Sequence, residues 1–313
     1  QLNGIDNISF QLGNLYENLR EMTFDLILAN PPFVPSPNSD YTFRDGGSNG
    51  EEVLKEIVIE SKKYLKEFGR LCIVTDLVEV KAYNTKLVSW LDGASCQSLV
   101  LHTADRDEIL FSVPHSHAPF GQSYEDYVNE LNSWLVNFRN SKLENVNFGY
   151  ILVEMTNDDE QNSYDKIINN PSKPIFNQVE KFFSDCTLLK SKKYEDYFLT
   201  TAPGLSIRQD YDLNKKVYSF KAEVPGNSYF TEYSIKESLY KSLKEISQKN
   251  PKFKDFIKNQ NEEVFKDLIL KGIVQLSKIK NKPFLIEESQ VESLFISEVE
   301  TKTTPTCLSS YLK

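Results

Sequence analysis

The chain has no uninterrupted run of about 18 apolar residues, so no transmembrane helix is predicted. It opens Gln1-Leu2-Asn3-Gly4-Ile5-Asp6, with neither a basic start nor an apolar stretch, and no secretory leader is expected. Cysteine is scarce. Cys72, Cys96, Cys186 and Cys307 lie far apart with no Cys-x-x-Cys among them, so nothing in the sequence favours a disulfide. Cys72 sits in an apolar run and reads as a reduced, buried thiol, and a cytoplasmic location is expected. Net positive charge is lacking too: the formal charge is -9, which argues against a protein that simply coats nucleic acid. There is no internal repeat, no Gly-x-Gly-x-x-Gly run and no initiating Met.

What is present suffices for a sizeable core. The chain has 313 residues, 40% hydrophobic and 12% aromatic, a length suited to about two domains. Ile8, Phe10 and Leu12 alternate with polar residues and predict a short strand within residues 5–15. Phe24-Asp25-Leu26-Ile27-Leu28-Ala29 is almost wholly apolar, as in a parallel strand covered on both faces. Residues 33–50 read as a loop rich in Pro, Ser, Asn, Asp and Gly. Val53, Leu54, Ile57, Val58, Ser61 and Leu65 share one helical face within a helix predicted from Glu51 to Phe68, closed by Gly69. A strand at Leu71–Val74, a helix at Val80–Leu91 and a strand at Ser98–His102 come next. A polar loop, a helix near Tyr124–Phe138 and a strand at Phe148–Met155 complete the first part. Such alternation predicts an α/β sheet with helices on both faces over residues 1–156.

The polar stretch 157–174 reads as a linker. Residues 175–313 form a second, mostly helical α+β domain. Short strands are expected at Asp196–Thr200 and Val217–Ala222, helices at Ser234–Lys249, Pro251–Lys258 and Glu262–Lys271, and a strand at Ile273–Leu276. This pattern is compatible with a winged-helix module. The tail Val299–Lys313 reads as mobile. Charge is uneven: Lys236–Lys282 holds 12 Lys against 6 Asp or Glu, which leaves the rest of the chain at -15. These lysines are either solvated helix faces or a basic module that delivers nucleic acid. Few aromatics lie among them, so base stacking is not suggested.

The chemistry concentrates at Asn30-Pro31-Pro32-Phe33. A buried strand ends there, at the sheet edge where open α/β folds place ligands. The residue before a proline is pushed to an extended conformation, and prolines offer no N–H. Two in succession therefore make a stiff turn whose carbonyl oxygens face outward beside the Asn30 side-chain oxygen. A planar NH2 group needs two such acceptors to fix its hydrogens, which leaves the nitrogen lone pair aimed at an electrophile. Phe33 can stack on the plane carrying that nitrogen. Transfer of an already activated methyl group needs no metal, and positioning supplies most of the rate. The same tetrapeptide can also be no more than a turn.

Phe24-Asp25-Leu26-Ile27-Leu28-Ala29-Asn30-Pro31-Pro32-Phe33-Val34-Pro35 resembles motif IV of class I S-adenosylmethionine-dependent methyltransferases that modify nitrogen. The nearest group is the "methyltransferase small domain", with HemK-type release-factor glutamine methyltransferases and rRNA guanine and adenine N-methyltransferases. Asp45-Gly46-Gly47-Ser48-Asn49-Gly50-Glu51 resembles the Gly-rich stretch after that motif, and Phe68-Gly69-Arg70-Leu71 the turn into the next strand. Ile8–Leu15 resembles the strand whose end approaches the cofactor adenine, with Asn14 standing where relatives usually carry Asp.

The resemblance covers about residues 5–155 and implies the C-terminal part of a Rossmann-like methyltransferase sheet. By the resemblance, Asn30 and the Pro31 carbonyl hold the target nitrogen, Pro32 stiffens the turn and Phe33 stacks. Asn14, Leu15 and Asn30 approach S-adenosylmethionine. The family's Gly-rich loop and the acidic residue of its second strand are missing, so the chain is expected to be an N-terminally truncated piece that binds the cofactor weakly or not at all. The substrate is a nucleic-acid base or a protein glutamine: Phe at position 33 leans to the first, Val34-Pro35 to the second. A different class of function also fits, a degenerate methyltransferase fold used as a binding or scaffold module. Oligomeric state is not legible. His115-Ser116-His117 offers only two metal ligands, and no metal site is expected. Asp76 and Glu79 are either pocket-lining acids or solvated loop acids, Asp45 has the same two readings, and Tyr41 and Phe43 either cap a pocket or pack the loop.

Overall fold

The structure is a computed structural model that describes residues 4, 6–38, 40–116, 123–157, 161–167, 176–191, 193–212, 217–224, 232–280 and 287–291. His117, the tail Val299–Lys313 and Lys282 lie outside them. The chain divides into two compact units: the first holds Gln1–Thr187, the second Leu188–Asn227 and the chain from Thr231 onward.

The first unit contains β1 (Phe24–Ala29), α1 (Glu52–Tyr64), β2 (Leu65–Val78), α2 (Tyr83–Trp90) and β3 (Cys96–His102). It continues with α3 (Glu108–His115), α4 (Tyr124–Asn140), β4 (Val146–Met155), β5 (Gln161–Ile167) and α5 (Phe176–Lys190), whose last turn enters the second unit. The sheet order is β1-β2-β4-β3-β5, in which β4 alone runs against its neighbours. β1, β2 and β3 therefore end at one edge, where β4 begins.

One face of the sheet is closed by α1 and α2. Ile27 and Ala29 of β1 meet Leu71 and Ile73 of β2, Ile151 and Val153 of β4, and Leu54, Ile57 and Val58 of α1 in a continuous core. α1 forms because its apolar residues recur at helical spacing on that face. It stops at Tyr64, four residues earlier than predicted, because Phe68 takes φ +60° and Gly69 lies against the Phe24 carbonyl, where a Cβ would sit 2.8 Å from the oxygen. β2 accordingly shifts register against β1 between Phe24 and Leu26.

Four expectations need correction. Residues 8–12 form no strand. Among the described residues no strand pairs with them, and Phe10 and Leu12 are 92% and 96% exposed. β1 is not covered on both faces. Among the described residues it pairs with β2 alone, and its Leu26 and Leu28 are exposed. The loop after β3 is not wholly polar loop, since Asp107 caps α3 by accepting from the N–H groups of Ile109 and Leu110. Within the stretch expected as a linker, Gln161–Ile167 pairs in parallel with β3 as β5.

The second unit contains β6 (Phe198–Thr201), β7 (Ser206–Asp212), β8 (Val217–Glu223), β9 (Glu232–Ile235), α6 (Glu237–Lys249), α7 (Phe253–Phe256), α8 (Glu262–Leu270), β10 (Val274–Ser277) and β11 (Glu287–Val291). β10 pairs antiparallel with β6, and a four-stranded sheet runs β11-β7-β8-β9. The core joins Phe220 and Ala222 to Leu243 and Ile246 of α6 and to Phe265, Leu268 and Ile269 of α8. The helices expected at 234–249 and 262–271 and the strands expected at 196–200, 217–222 and 273–276 are present; the helix expected at 251–258 is four α-helical residues followed by a 3-10 turn, and β7, β9 and β11 were not expected.

Candidate functional site

Asn30-Pro31-Pro32-Phe33 leaves the sheet at the edge where β1, β2 and β3 end. Asn30 is exposed, Pro31 buried, and Pro32 and Phe33 half-buried. Among the described residues, no donor bonds to the Pro31 or Pro32 carbonyl or to the Asn30 side chain. The motif thus presents unengaged acceptors beside a partly covered ring.

The backbone beyond it is fully used. Phe33 and Val34 both donate their N–H to the Arg44 carbonyl, at 3.1 and 3.0 Å, and Gly46 donates to the Val34 carbonyl at 3.0 Å. Ser36 donates to the Gly47 carbonyl at 3.1 Å. The glycine-rich stretch is needed for this contact. A Cβ on Gly46 would stand 2.8 Å from both the Phe33 Cα and the Pro32 carbonyl oxygen. One on Gly50, which has φ +75°, would stand 2.5 Å from the Phe33 oxygen. Side chains there would push the motif off its seat. Glu51, buried at the start of α1, accepts from Lys86 of α2 at 2.8 and 3.0 Å, and Lys86 also donates to the Val78 carbonyl at 2.8 Å. The loop is therefore bolted to both helices behind the sheet.

The helices inserted between β3 and β4 supply the other wall. Phe111 of α3 and Trp134 and Phe138 of α4 pack with Val34, Val78 and Val146, and Phe33 rests against this cluster. The Arg44 guanidinium lies 4.5 Å from the Tyr41 ring centre and 5.2 Å from that of Trp134. Its Nε bonds Asp45 at 2.6 Å, and Asp45 is buried rather than solvated. Asp76, at the end of β2, is buried as well and accepts from Arg106 at 2.5 Å. Burial pushes the Asp76 carboxyl above its usual range, and Arg106 and His115 pull against that. His115 stacks between Phe111, 4.3 Å away, and Trp134, 5.3 Å away. Its Nδ1 lies 2.6 Å from the Phe111 carbonyl, so Nδ1 carries the hydrogen. Burial holds this imidazole below its usual value. Among the described residues no three His, Cys, Asp or Glu side chains cluster as metal ligands.

Beside the exposed Leu28 of β1, Leu28, Ala29, Asn30, Cys72, Ile73, Val74, Tyr150 and Leu152 line an open, apolar cavity of about 440 Å³. Asn14 and Leu15 are elsewhere, in an exposed turn anchored by Tyr16. That tyrosine is buried, donates to the Ile57 carbonyl at 3.1 Å and stacks on Tyr64. The Asn14 N–H and carbonyl are both spent on Glu17, and among the described residues no hydrogen bond or ring contact joins Asn14 or Leu15 to Asn30. Arg106, Phe111 and Trp134 were not singled out from sequence. The signal was available only for the helix, in the Asp107 cap ahead of Ile109, Leu110 and Phe111.

Residues 1–91 match the family model described as the methyltransferase small domain. Over those residues the chain is thus similar to class I S-adenosylmethionine-dependent methyltransferases. Within that class the similar curated proteins are glutamine methyltransferases. The chain is 30% identical over 101 residues to the release factor glutamine methyltransferase of Aquifex aeolicus, over 26% of this chain and 36% of that protein. It is 31% identical over 78 residues to the ribosomal protein uL3 glutamine methyltransferase of Francisella tularensis, over 22% of this chain and 25% of that one. The chain thus spans about a third or less of the length of these relatives. The solved structure of PKMT2 from Rickettsia typhi aligns over 85% of this chain and 61% of its own, with 10% identity and a TM-score of 0.26, too low to carry an argument. No helix among the described residues is long and apolar enough to cross a membrane.

The methyl donor of this family is S-adenosylmethionine. The residues present do not form a cradle for it. Asn14 and Leu15 lie in an exposed turn, and the 440 Å³ cavity beside Asn30 is lined almost wholly by apolar side chains, without the polar groups that a ribose or a carboxylate requires.

Proposed function

We propose that this chain carries the acceptor side of a methyltransferase that modifies the side-chain amide nitrogen of glutamine in a protein. The observation that supports this best is the unengaged acceptor set of Asn30, Pro31 and Pro32 on a motif held rigid by Arg44, Gly46 and Gly50. A primary amide would place its two hydrogens on the Asn30 side-chain oxygen and the Pro31 carbonyl. The amide plane would lie against Phe33. Both hydrogens being fixed, the nitrogen can turn only one direction toward an incoming methyl group, and that restriction is where catalysis by positioning comes from. The relatives named above act on protein glutamines, which supports the amide over a nucleobase. The Lys-rich helices lend the nucleobase little support, because Lys241, Lys249, Lys266 and Lys271 are each paired with an acid three or four residues away.

The test is methyl transfer by the full-length protein from S-adenosylmethionine with a tritiated methyl group, offered total protein in one arm and total RNA in the other. Label in protein, located by peptide mass spectrometry on glutamine, is expected. Label confined to RNA would replace the substrate class. Absence of label in both arms would favour a methyltransferase fold used only for binding.

A further inference from the structure

We propose that Trp134 of α4 is a positioning residue for Phe33 and acts through Arg44. The proposal rests on the reading of Phe33 as the ring that receives a planar amide. Phe33 and Val34 hang by their N–H groups from one acceptor, the Arg44 carbonyl. Where that carbonyl sits decides where the Phe33 ring sits. Most ties on Arg44 are local: Asp45 at 2.6 Å on its Nε, Tyr41 beneath its guanidinium, and turn hydrogen bonds from Arg44 and Asp45 back to the Tyr41 carbonyl. Such ties fix Arg44 within its own turn and not against the neighbouring helices. Trp134 is the contact that refers Arg44 to the rest of the fold, from a helix about ninety residues away.

The Trp134 ring can serve as such a reference because it cannot turn. It is 3% exposed, with Phe111 edge-on at 6.2 Å and His115 against it at 5.3 Å. The same helix also fixes the far end of the loop, since Asn137 and Ser141 both donate to the Ser48 carbonyl at 3.0 Å. A guanidinium above an indole face is held in its plane as well as in its position. Misplacing a reacting group by about 1 Å can cost on the order of 100-fold in rate. The inserted helices would thus set the ring of a motif to which they contribute no atom.

The experiment compares Trp134→Leu, Trp134→Phe and Arg44→Leu in the full-length protein by amide hydrogen exchange and methyl transfer. The reference amides are Ile27 and Leu71 in the β1–β2 ladder. In Trp134→Leu and Arg44→Leu, Phe33 and Val34 are expected to exchange about tenfold faster while the ladder amides keep their protection. Trp134→Phe, which keeps an aromatic face under Arg44, should stay near wild type. Unchanged Phe33 and Val34 exchange in both Leu variants would overturn the proposal, and so would equal loss in the ladder for Arg44→Leu. In transfer assays on total protein, kcat should fall on the order of 10- to 100-fold in Trp134→Leu with KM nearly unchanged. Full transfer by a variant whose Phe33 exchange has risen would overturn it as well. If wild type itself transfers nothing to protein, the amide reading fails, while the exchange result still decides whether Trp134 positions Phe33.

Discussion

Among the described residues the Asn30 side chain and the Pro31 and Pro32 carbonyls accept no hydrogen bond, whereas in the second unit most lysines of the helices are paired with an acid. Lys241, Lys249, Lys266 and Lys271 bond acids three or four residues away on their own helices, and Lys254 bonds Asp196. Both regions are rich in polar side chains. The difference lies in what has been left over. A polar group already matched within the fold asks nothing of a ligand. Acceptors held rigid and unmatched are satisfied only by water or by a donor brought to them.

The sharpest way to break this comparison is to remove the leftover acceptor. Asn30→Ala should lower methyl transfer by the full-length protein at least about 100-fold. The thermal midpoint should hold, because Asn30 is exposed and supports no core contact. Near-normal turnover would show that the unmatched amide is idle. A second change attacks rigidity instead of chemistry. Gly50→Val should cost about 1–3 kcal/mol of stability and most of the activity, since position 50 has φ +75° and a Cβ there meets the Phe33 oxygen at 2.5 Å. A variant with wild-type melting and turnover would mean that the loop accommodates a side chain freely.

The motif was legible in sequence because its chemistry is local. An apolar strand, two prolines and a following Gly-Gly-x-x-Gly are read from neighbours, and the strand, turn and loop lie where that pattern put them. What surrounds the motif was not legible, because it depends on contacts across the chain. Asp76 and Asp45 looked like candidates for solvated acids and are buried against Arg106 and Arg44. Trp134 was not singled out at all. Burial misled as well: Phe24–Ala29 has the composition of a strand covered on both faces, yet among the described residues β1 has one neighbour and Leu28 is 71% exposed. Hydrophobicity records what a face can bury and not which partner is there to bury it. The alternation of Ile8, Phe10 and Leu12 failed for the same reason, since a strand exists only with another strand beside it.

Smaller effects sharpen the contrast within the first unit. Glu154 is buried and shares Arg70 with Glu180 of α5, with the Arg70 Nε 2.6 Å from Glu154. Arg70→Met should destabilise by about 3 kcal/mol in urea melts, because Glu154 is left buried without its cation. Stability unaltered by the change would show that Glu154 reaches water. His115 gives a pH signature. Its folded value lies below the ordinary 6.5, chiefly through burial, with Arg106 and Arg44 adding to the depression and Asp76 and the Phe111 carbonyl opposing it. The unfolded chain therefore binds the proton first as pH falls. The stabilising contribution is complete above about 6.5 and is lost as pH drops through the lower folded value. The urea midpoint should decline across that window, and His115→Gln should flatten the decline. An identical slope in both proteins would place the titration elsewhere.

The smallest effect is expected where the charges are most conspicuous. Lys241 and Lys249 are exposed and paired with Glu237 and Glu245 one helical turn before them. Exposed pairs of this kind contribute little, because the Coulomb attraction is screened by water and offset by the entropy of holding two long side chains. Lys241→Gln with Lys249→Gln should therefore leave the urea midpoint unresolved from wild type. The same double variant decides what the lysines do. If they are solvated helix faces, affinity for a single-stranded RNA oligonucleotide and its salt dependence should not change. If they form a track for phosphates, removing two cations should lower the slope of log affinity against log salt by roughly one to two. A slope change of that size would mean that pairing within a helix does not take a lysine out of play, and the contrast between the two regions would lose its basis.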